Sequence, residues 1–165
     1  MLWGLTMLNY KRVFNVDDEI CQFHLKQKQY YLLEGIIPTK DYLIDDMKIP
    51  EGFDEKNHYI YKVYFKDEMI ALIDFQQGYR FSMRHDDECL WIGLFLVDES
   101  YQRMKFGKMV IEHLIEEYRK KCCLIQLACL KKNEKGMAFW KKLGFTKIDD
   151  SMYKDLEVEI LEMKI

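Results

Sequence analysis

The chain has 165 residues, a formal net charge of -3, 49% apolar and 32% charged side chains, and two prolines. That arithmetic fits one compact domain over residues 1–165 with a sizeable core, and excludes a disordered linker or a tandem array. Mild acidity argues against a duplex-binding surface that must neutralise many phosphates, so nucleic acid is not expected as a partner.

The longest apolar run, Leu90 to Val97, falls far short of the ~20 residues that cross a bilayer, so it reads as a buried strand and no membrane partner is expected. The opening Met1 to Leu8 is apolar but lacks a positive flank and a small-residue cleavage site, which argues against a secretory signal. Met7 is a second candidate start. Five cysteines, an odd number, without paired C-x-x-C spacing, point to reduced thiols and a cytoplasmic protein.

In chain order, Lys11 to Phe14 reads as a short first strand. Asn15-Val16-Asp17-Asp18 then caps a helix through about Tyr31, with Ile20, Phe23, Tyr30 and Tyr31 on its buried face. Pro38-Thr39 starts a second short helix carrying Tyr42, Leu43 and Met47, and Pro50 to Asn57 is a polar connection. Tyr59 to Phe65 alternates with strand periodicity, Lys66-Asp67-Glu68 is a turn, and Met69 to Phe75 is the next strand. After a polar excursion from Gly78 to Glu88, Leu90 to Val97 completes an antiparallel meander.

Val110, Ile111, Leu114, Ile115 and Tyr118 recur at helical steps opposite a charged face, which marks the clearest helix. Cys122 to Leu130 reads as another buried strand, followed by a helix from about Gly136 to Leu143 that Gly144 closes in a left-handed cap. Phe145 to Ile148 forms a strand that turns at Asp149-Asp150-Ser151 into a last strand carrying Leu156, Val158 and Ile160. The alternation slips at Ile160-Leu161, where a bulge is expected. An exposed final strand would let two copies pair as a homodimer.

The chemistry centres on Asp98 to Gly107, a tight loop between a strand and the amphipathic helix. Unpaired N–H groups at a helix start bind anions, and Arg103, Lys105 and Lys108 add positive potential. Together with the strand Leu90 to Val97 before it, and Asn133 and Ala138-Phe139-Trp140-Lys141-Lys142-Leu143-Gly144-Phe145 after it, this segment resembles the GCN5-related N-acetyltransferase (GNAT) family over most of the chain. The family's loop reads Gln/Arg-x-x-Gly-x-Gly/Ala. Gln102 and Gly107 match, while Lys105 stands where the first glycine is usual; a left-handed backbone there would cost about 1–2 kcal/mol.

The resemblance implies an α/β (α+β) fold: a central, mostly antiparallel mixed sheet flanked by helices and splayed between its fourth and fifth strands, with acetyl-CoA in the opening. It places the cosubstrate against the backbone of Phe95, Leu96 and Val97, the loop Gln102, Arg103, Met104, Lys105, Phe106, Gly107 and Lys108, and Asn133 on the pantetheine arm. Asn133 is otherwise a plain helix-start residue. Trp140 occupies the place of a tyrosine that protonates the leaving thiolate in many members; indole is no acid, so Trp140 is a cofactor contact or simply core.

The implied activity is transfer of acetyl from acetyl-CoA to a primary amine of a small molecule or protein by direct attack in a ternary complex. An ammonium must first lose a proton, and an oxyanion must be met by a strand N–H such as that of Phe95 or Leu96. Asp74 interrupts an apolar strand and is either a base with a raised pKa or a structurally paired carboxylate. Glu88 is a second base candidate. It belongs to the His85-Asp86-Asp87-Glu88 cluster, which either attracts a cationic acceptor or forms a solvated turn.

Tyr153 is a candidate substitute acid or a sheet-packing tyrosine. The four histidines show no metal-ligand spacing and no calcium loop is present, so no metal is expected. Cys129 reads as a packing residue. Gln27 to Asp46 and Gly78 to Glu88 are expected to line the acceptor side. Two alternatives stand: a non-catalytic acyl-CoA-binding or regulatory module, and an interaction protein whose Tyr30-Tyr31 surface contacts a partner.

Overall fold

The computed structural model describes residues 7–165, so most of the apolar opening, Met1 included, lies outside the described residues. Seven strands form one sheet: β1 Asn9–Val13, β2 His58–Phe65, β3 Glu68–Arg80, β4 Arg84–Val97, β5 Leu124–Leu130, β6 Thr146–Tyr153 and β7 Leu156–Lys164. Their order is β1-β2-β3-β4-β5-β7-β6. Every pairing is antiparallel except β4 with β5. The helices are α1 Asp18–Lys26, α2 Lys28–Glu34, α3 Lys40–Asp46, α4 Phe106–Tyr118 and α5 Glu134–Leu143.

The central strands are apolar on both faces because both are covered. On one face Ile73, Phe75, Leu90 and Ile92 pack with Val110, Ile111 and Leu114 of α4 and Trp140 of α5. On the other, Ile60, Leu72, Leu94 and Leu96 pack with Ile20 and Phe23 of α1, Tyr31 of α2 and Leu43 of α3. Burying each large side chain is worth about 1.5–3 kcal/mol. Asp17 ties α1 to the sheet: one carboxylate oxygen caps Ile20 N–H at 2.9 Å, and the other accepts from the buried Lys62 ammonium on β2 at 2.5 Å.

Four expectations are corrected. The first helix breaks at Gln27 instead of running to Tyr31, because the Gln27 side chain turns to the far end of β4: its Nε2 donates to Asp98 Oδ2 (3.2 Å) and its Oε1 accepts from Glu99 N–H (3.0 Å). Gly78 to Glu88 is not an excursion: β3 continues to Arg80 and β4 starts at Arg84. The turn before the last strand falls at Lys154-Asp155, not at Asp149 to Ser151, since β6 runs on to Tyr153. The final strand is not an edge: β7 is paired on both sides, and the edges are β1 and β6. The slip near Ile160-Leu161 is present as a register shift, and the extra residue, Ile148, sits on β6 opposite them.

Candidate active site

Parallel pairing of β4 with β5 covers only Cys89 to Ile92 against Leu124 to Leu127, and beyond that point the two strands part. The fork begins at a bulge. Asp74 of β3 faces Leu94 while Phe75 faces Ile92, so Gly93 is the extra residue. Gly93 and Ala128, both in central strands, are exposed where their neighbours Ile92, Leu94, Leu127 and Cys129 are buried.

Backbone direction in the fork follows from one hydrogen bond. Asp98 N–H donates to Ile70 C=O on β3 at 2.7 Å. By strand alternation the groups of Leu96 also face β3, and those of Phe95 and Val97 face the opening. Val97 C=O accepts from Gln102 Nε2 at 3.1 Å, consistent with that direction. Phe95 and Val97 therefore offer main-chain groups to the fork. Leu96 does not, because its ladder position faces Leu72.

The loop after β4 leads into the open end of α4. Asp17, Thr39 and Asn133 cap α1, α3 and α5 through side chains, whereas Lys105 at the N-cap of α4 makes no side-chain cap. Lys105 adopts the left-handed conformation at φ 67°, as does Arg103 at φ 64°. Lysine thus takes the conformation a glycine would hold at lower energy. Gln102, Arg103, Met104, Lys105 and Lys108 are exposed. Phe106 is core, 4.9 Å from the Phe65 ring, so only its N–H is available. Gly107 permits close packing: a Cβ there would lie 3.1 Å from Phe139 and 3.5 Å from Val97.

A cavity of about 260 Å³ opens at the fork, and Asp74, Gly93, Phe95, Asn133, Trp140 and Tyr153 are among the residues that line it. Asn133 Oδ1 accepts from Gly136 N–H at 2.9 Å, so its capping role and its place at the cavity coexist. Trp140 is buried, 5.7 Å from Phe95 and 5.1 Å from Phe145. Cys129 also lines the cavity, with its thiol pushed up to about 11 by burial, which keeps it protonated at neutral pH.

Asp74 is almost wholly buried, and its Oδ1 lies 2.7 Å from His58 Nε2. Burial raises the Asp74 pKa above the ordinary carboxylate value, and the His58 contact opposes part of that rise. Sequence reading missed His58, which sits where the polar connection meets β2. Its signal is parity: His58, Ile60 and Lys62 share one face of β2, and Ile60 pairs with Asp74.

Glu88 is exposed and belongs to the opposite end of β4, where its N–H donates to Asp86 Oδ1; it is not among the cavity's lining residues. Nor is any residue of Gly78 to Glu88, so that half of the expected acceptor wall is corrected. From the other segment, Gln27 to Asp46, the residues Tyr30, Glu34 and Asp46 line the cavity. Tyr31 lies in the core and not on a partner-facing surface. Tyr153 reaches the cavity, but its hydroxyl donates to Asp46; burial first, and then that carboxylate, raises its pKa far above the usual phenol value.

Among the described residues, no group of three or more His, Cys, Asp or Glu side chains is arranged to hold a metal ion, and no helix is long and apolar enough to cross a membrane. No curated protein matches the chain. Solved structures do. An acetyltransferase from Thermus thermophilus superposes with a TM-score of 0.73 at 17% identity, covering 98% of this chain and 100% of that one. An aminoglycoside acetyltransferase in complex with coenzyme A gives 0.73 at 14% identity over 96% and 95%. A Bacillus subtilis acetyltransferase in complex with CoA gives 0.64 at 16% identity over 96% and 99%. These likenesses agree with the forked mixed sheet, and the model of the acetyltransferase (GNAT) family matches residues 19–145. The chain belongs to the acetyltransferase (GNAT) family.

Proposed function

We propose that the whole chain acts as one N-acetyltransferase domain, moving an acetyl group from acetyl-CoA to a primary amine by direct attack in a ternary complex. The observation that carries this reading is the fork beyond Ile92 and Leu127, with the uncapped start of α4 following β4. The chain's groups fit such a cosubstrate. Phe95 and Val97 present edge groups that an amide-bearing pantetheine arm can pair with, and the helix start presents N–H donors with three nearby cations, Arg103, Lys105 and Lys108, for a diphosphate. Two of the CoA-bound relatives share the fold and support the same assignment.

The thioester supplies an activated acetyl group. One proton leaves the acceptor's ammonium for Asp74, directly or through one water, and passes on to solvent. As the N–C bond forms and the C–S bond breaks, the second proton leaves nitrogen and ends on sulfur. Phe95 N–H meets the negative charge that develops on the carbonyl oxygen. His58 holds the Asp74 carboxylate in place. Tyr153, its proton held by Asp46, shapes the acceptor wall instead of acting as the acid. The leaving thiolate, with a pKa of about 8.5 by analogy with cysteine, needs no dedicated donor.

Five free thiols suit a reducing cytoplasm, and no nucleic acid or membrane partner enters the reading. Homodimer pairing falls to β6, one of the two edge strands, whose residues Thr146 to Asp150 are exposed. The test is calorimetric titration with coenzyme A together with thiol release from acetyl-CoA across a panel of amines and peptides. Binding with turnover is expected. Binding without turnover on every acceptor would favour the non-catalytic acyl-CoA module.

A further inference from the structure

The acceptor side of the cavity carries a charge pattern that acetyl transfer alone does not require. Asp74 and His58 stand at the fork, and the α2–α3 side contributes Tyr30, Glu34 and Asp46, with Tyr153 from β6 beside them. Glu34 is half-buried. Its carboxylate accepts from Tyr42 hydroxyl at 2.7 Å, and among the described residues no cationic group lies within 4.0 Å of it. Tyr30 also engages this carboxylate, and a partly desolvated carboxylate held only by phenols is stabilised further when a cation joins it.

Lys48, the one lysine in the lining, is turned to Asp45 at 2.6 Å, so its charge is engaged elsewhere. Gln76 adds a second open acceptor. It is 3% exposed and lines the cavity; its Nε2 is tied to the carbonyls of Asp54 and Gln77, and its Oε1 is buried without a partner. A ligand with several N–H donors satisfies what an alkyl tail would leave unpaired.

The chain itself shows that this wall accepts an ammonium. Lys154 Nζ rests 3.9 Å from the Tyr42 ring centre and 3.7 Å from Asp46, with the Tyr153 ring at 4.9 Å. Phenol faces and carboxylates together make a platform for N⁺–H groups. Lys154 uses its Asp46 side, and Glu34 is left.

We infer that the acceptor is a small dication, an alkyl diamine whose first nitrogen is acetylated at Asp74 and whose second is bound at Glu34 beside Tyr30, on the side of the wall that Lys154 leaves free. Asp74 and Glu34 line the same cavity, so one short alkyl chain can present a nitrogen to each. This inference rests on the acetyltransferase reading above.

The test compares 1,4-diaminobutane with butylamine on the full chain. Thiol release from acetyl-CoA should give the diamine a kcat/KM at least about tenfold higher, and Glu34→Gln, which keeps an oxygen for Tyr42, should reduce that ratio to within about twofold of one. A ratio near one in the unaltered protein, an unchanged ratio in Glu34→Gln, or a lysine-bearing N-terminal peptide that outperforms the diamine would each overturn the dication while leaving acetyl transfer intact. If no acceptor turns over, calorimetry on the CoA-loaded protein decides. Diamine binding about tenfold tighter than butylamine supports the site, and equal binding overturns it. Failure of coenzyme A itself to bind removes the acetyltransferase reading, and this inference with it.

Discussion

His58 Nε2 meets Asp74 Oδ1 at 2.7 Å across neighbouring strands, on the face of the sheet that α1, α2 and α3 cover. Burial holds the Asp74 pKa above its ordinary value, so the native state keeps its proton over a pH window where the unfolded chain has released it. Native stability therefore falls as pH rises through that window. Asp74→Asn removes the penalty and should melt higher than the parent at pH 7, while kcat/KM falls by about 10²–10⁴. A pH–rate profile carries the second half of the argument. In the proposed mechanism the active form is the carboxylate, so His58→Leu, which removes the group that lowers the Asp74 pKa, should move the acid limb to higher pH. An unmoved limb would dissociate His58 from the base.

What the chain alone discloses follows from how local each signal is. The α4 stripe of Val110, Ile111 and Leu114 repeats within one helix and faces the core as its spacing requires. The loop proposed to bind the diphosphate is equally local. The Asp74–His58 contact depends on the register of two strands, which no window of one strand contains. Gln27 is a good helix former, and its break between α1 and α2 exists only because Asp98 and Glu99 of a distant loop bond its side chain. The places of Glu34 and Asp46 follow from that break, since α2 and α3 carry them to the cavity. The Gly93 bulge is hidden for the same reason: a glycine in an apolar run declares itself only against its partner strand.

Lys105 occupies φ 67° at the mouth of the loop. Lys105→Gly removes a left-handed penalty of about 1–2 kcal/mol and adds about 0.5–1 kcal/mol of unfolded-state freedom, so the variant should be more stable by about 0.5–1 kcal/mol in a denaturant titration. The same change removes a cation from the proposed diphosphate site. Affinity for coenzyme A should fall by a few-fold, about three at low salt, and the difference should narrow as salt rises. A stability loss would show that the lysine side chain is held by contacts that outweigh its backbone strain.

Gly107 lets α4 approach α5. A methyl there would sit 3.1 Å and 3.2 Å from two atoms of the Phe139 ring, which is tighter than ordinary contact. Gly107→Ala should destabilise the fold by about 1–3 kcal/mol and weaken coenzyme A binding as the helix start shifts. Phe139→Leu opens the space, so the double variant should recover part of both losses. Calorimetry on the four proteins closes the cycle. Full additivity of the two single effects would remove Phe139 as the cause.

Gln27 joins the two halves of the proposed site. Its amide donates to Phe23 C=O at 3.0 Å and to Asp98 Oδ2, both buried, and its carbonyl accepts from the part-buried Glu99 N–H. One side chain thus fixes both the start of α2, which carries Tyr30 and Glu34, and the segment that leads from β4 into the loop ahead of α4. Gln27→Leu preserves bulk but strands the Asp98 oxygen and the Glu99 N–H, at a cost of about 1–3 kcal/mol each when buried. Because Asp98 also pairs with Lys26 at 3.4 Å and accepts from Ser100 N–H at 2.9 Å, its carboxylate retains two partners and the larger loss falls on Glu99. The variant should bind coenzyme A more weakly and show a raised KM for the amine, two constants that a change confined to either half would move singly. Steady-state kinetics with both substrates varied distinguishes these outcomes; an amine KM that stays fixed while coenzyme A affinity drops would confine Gln27 to the loop.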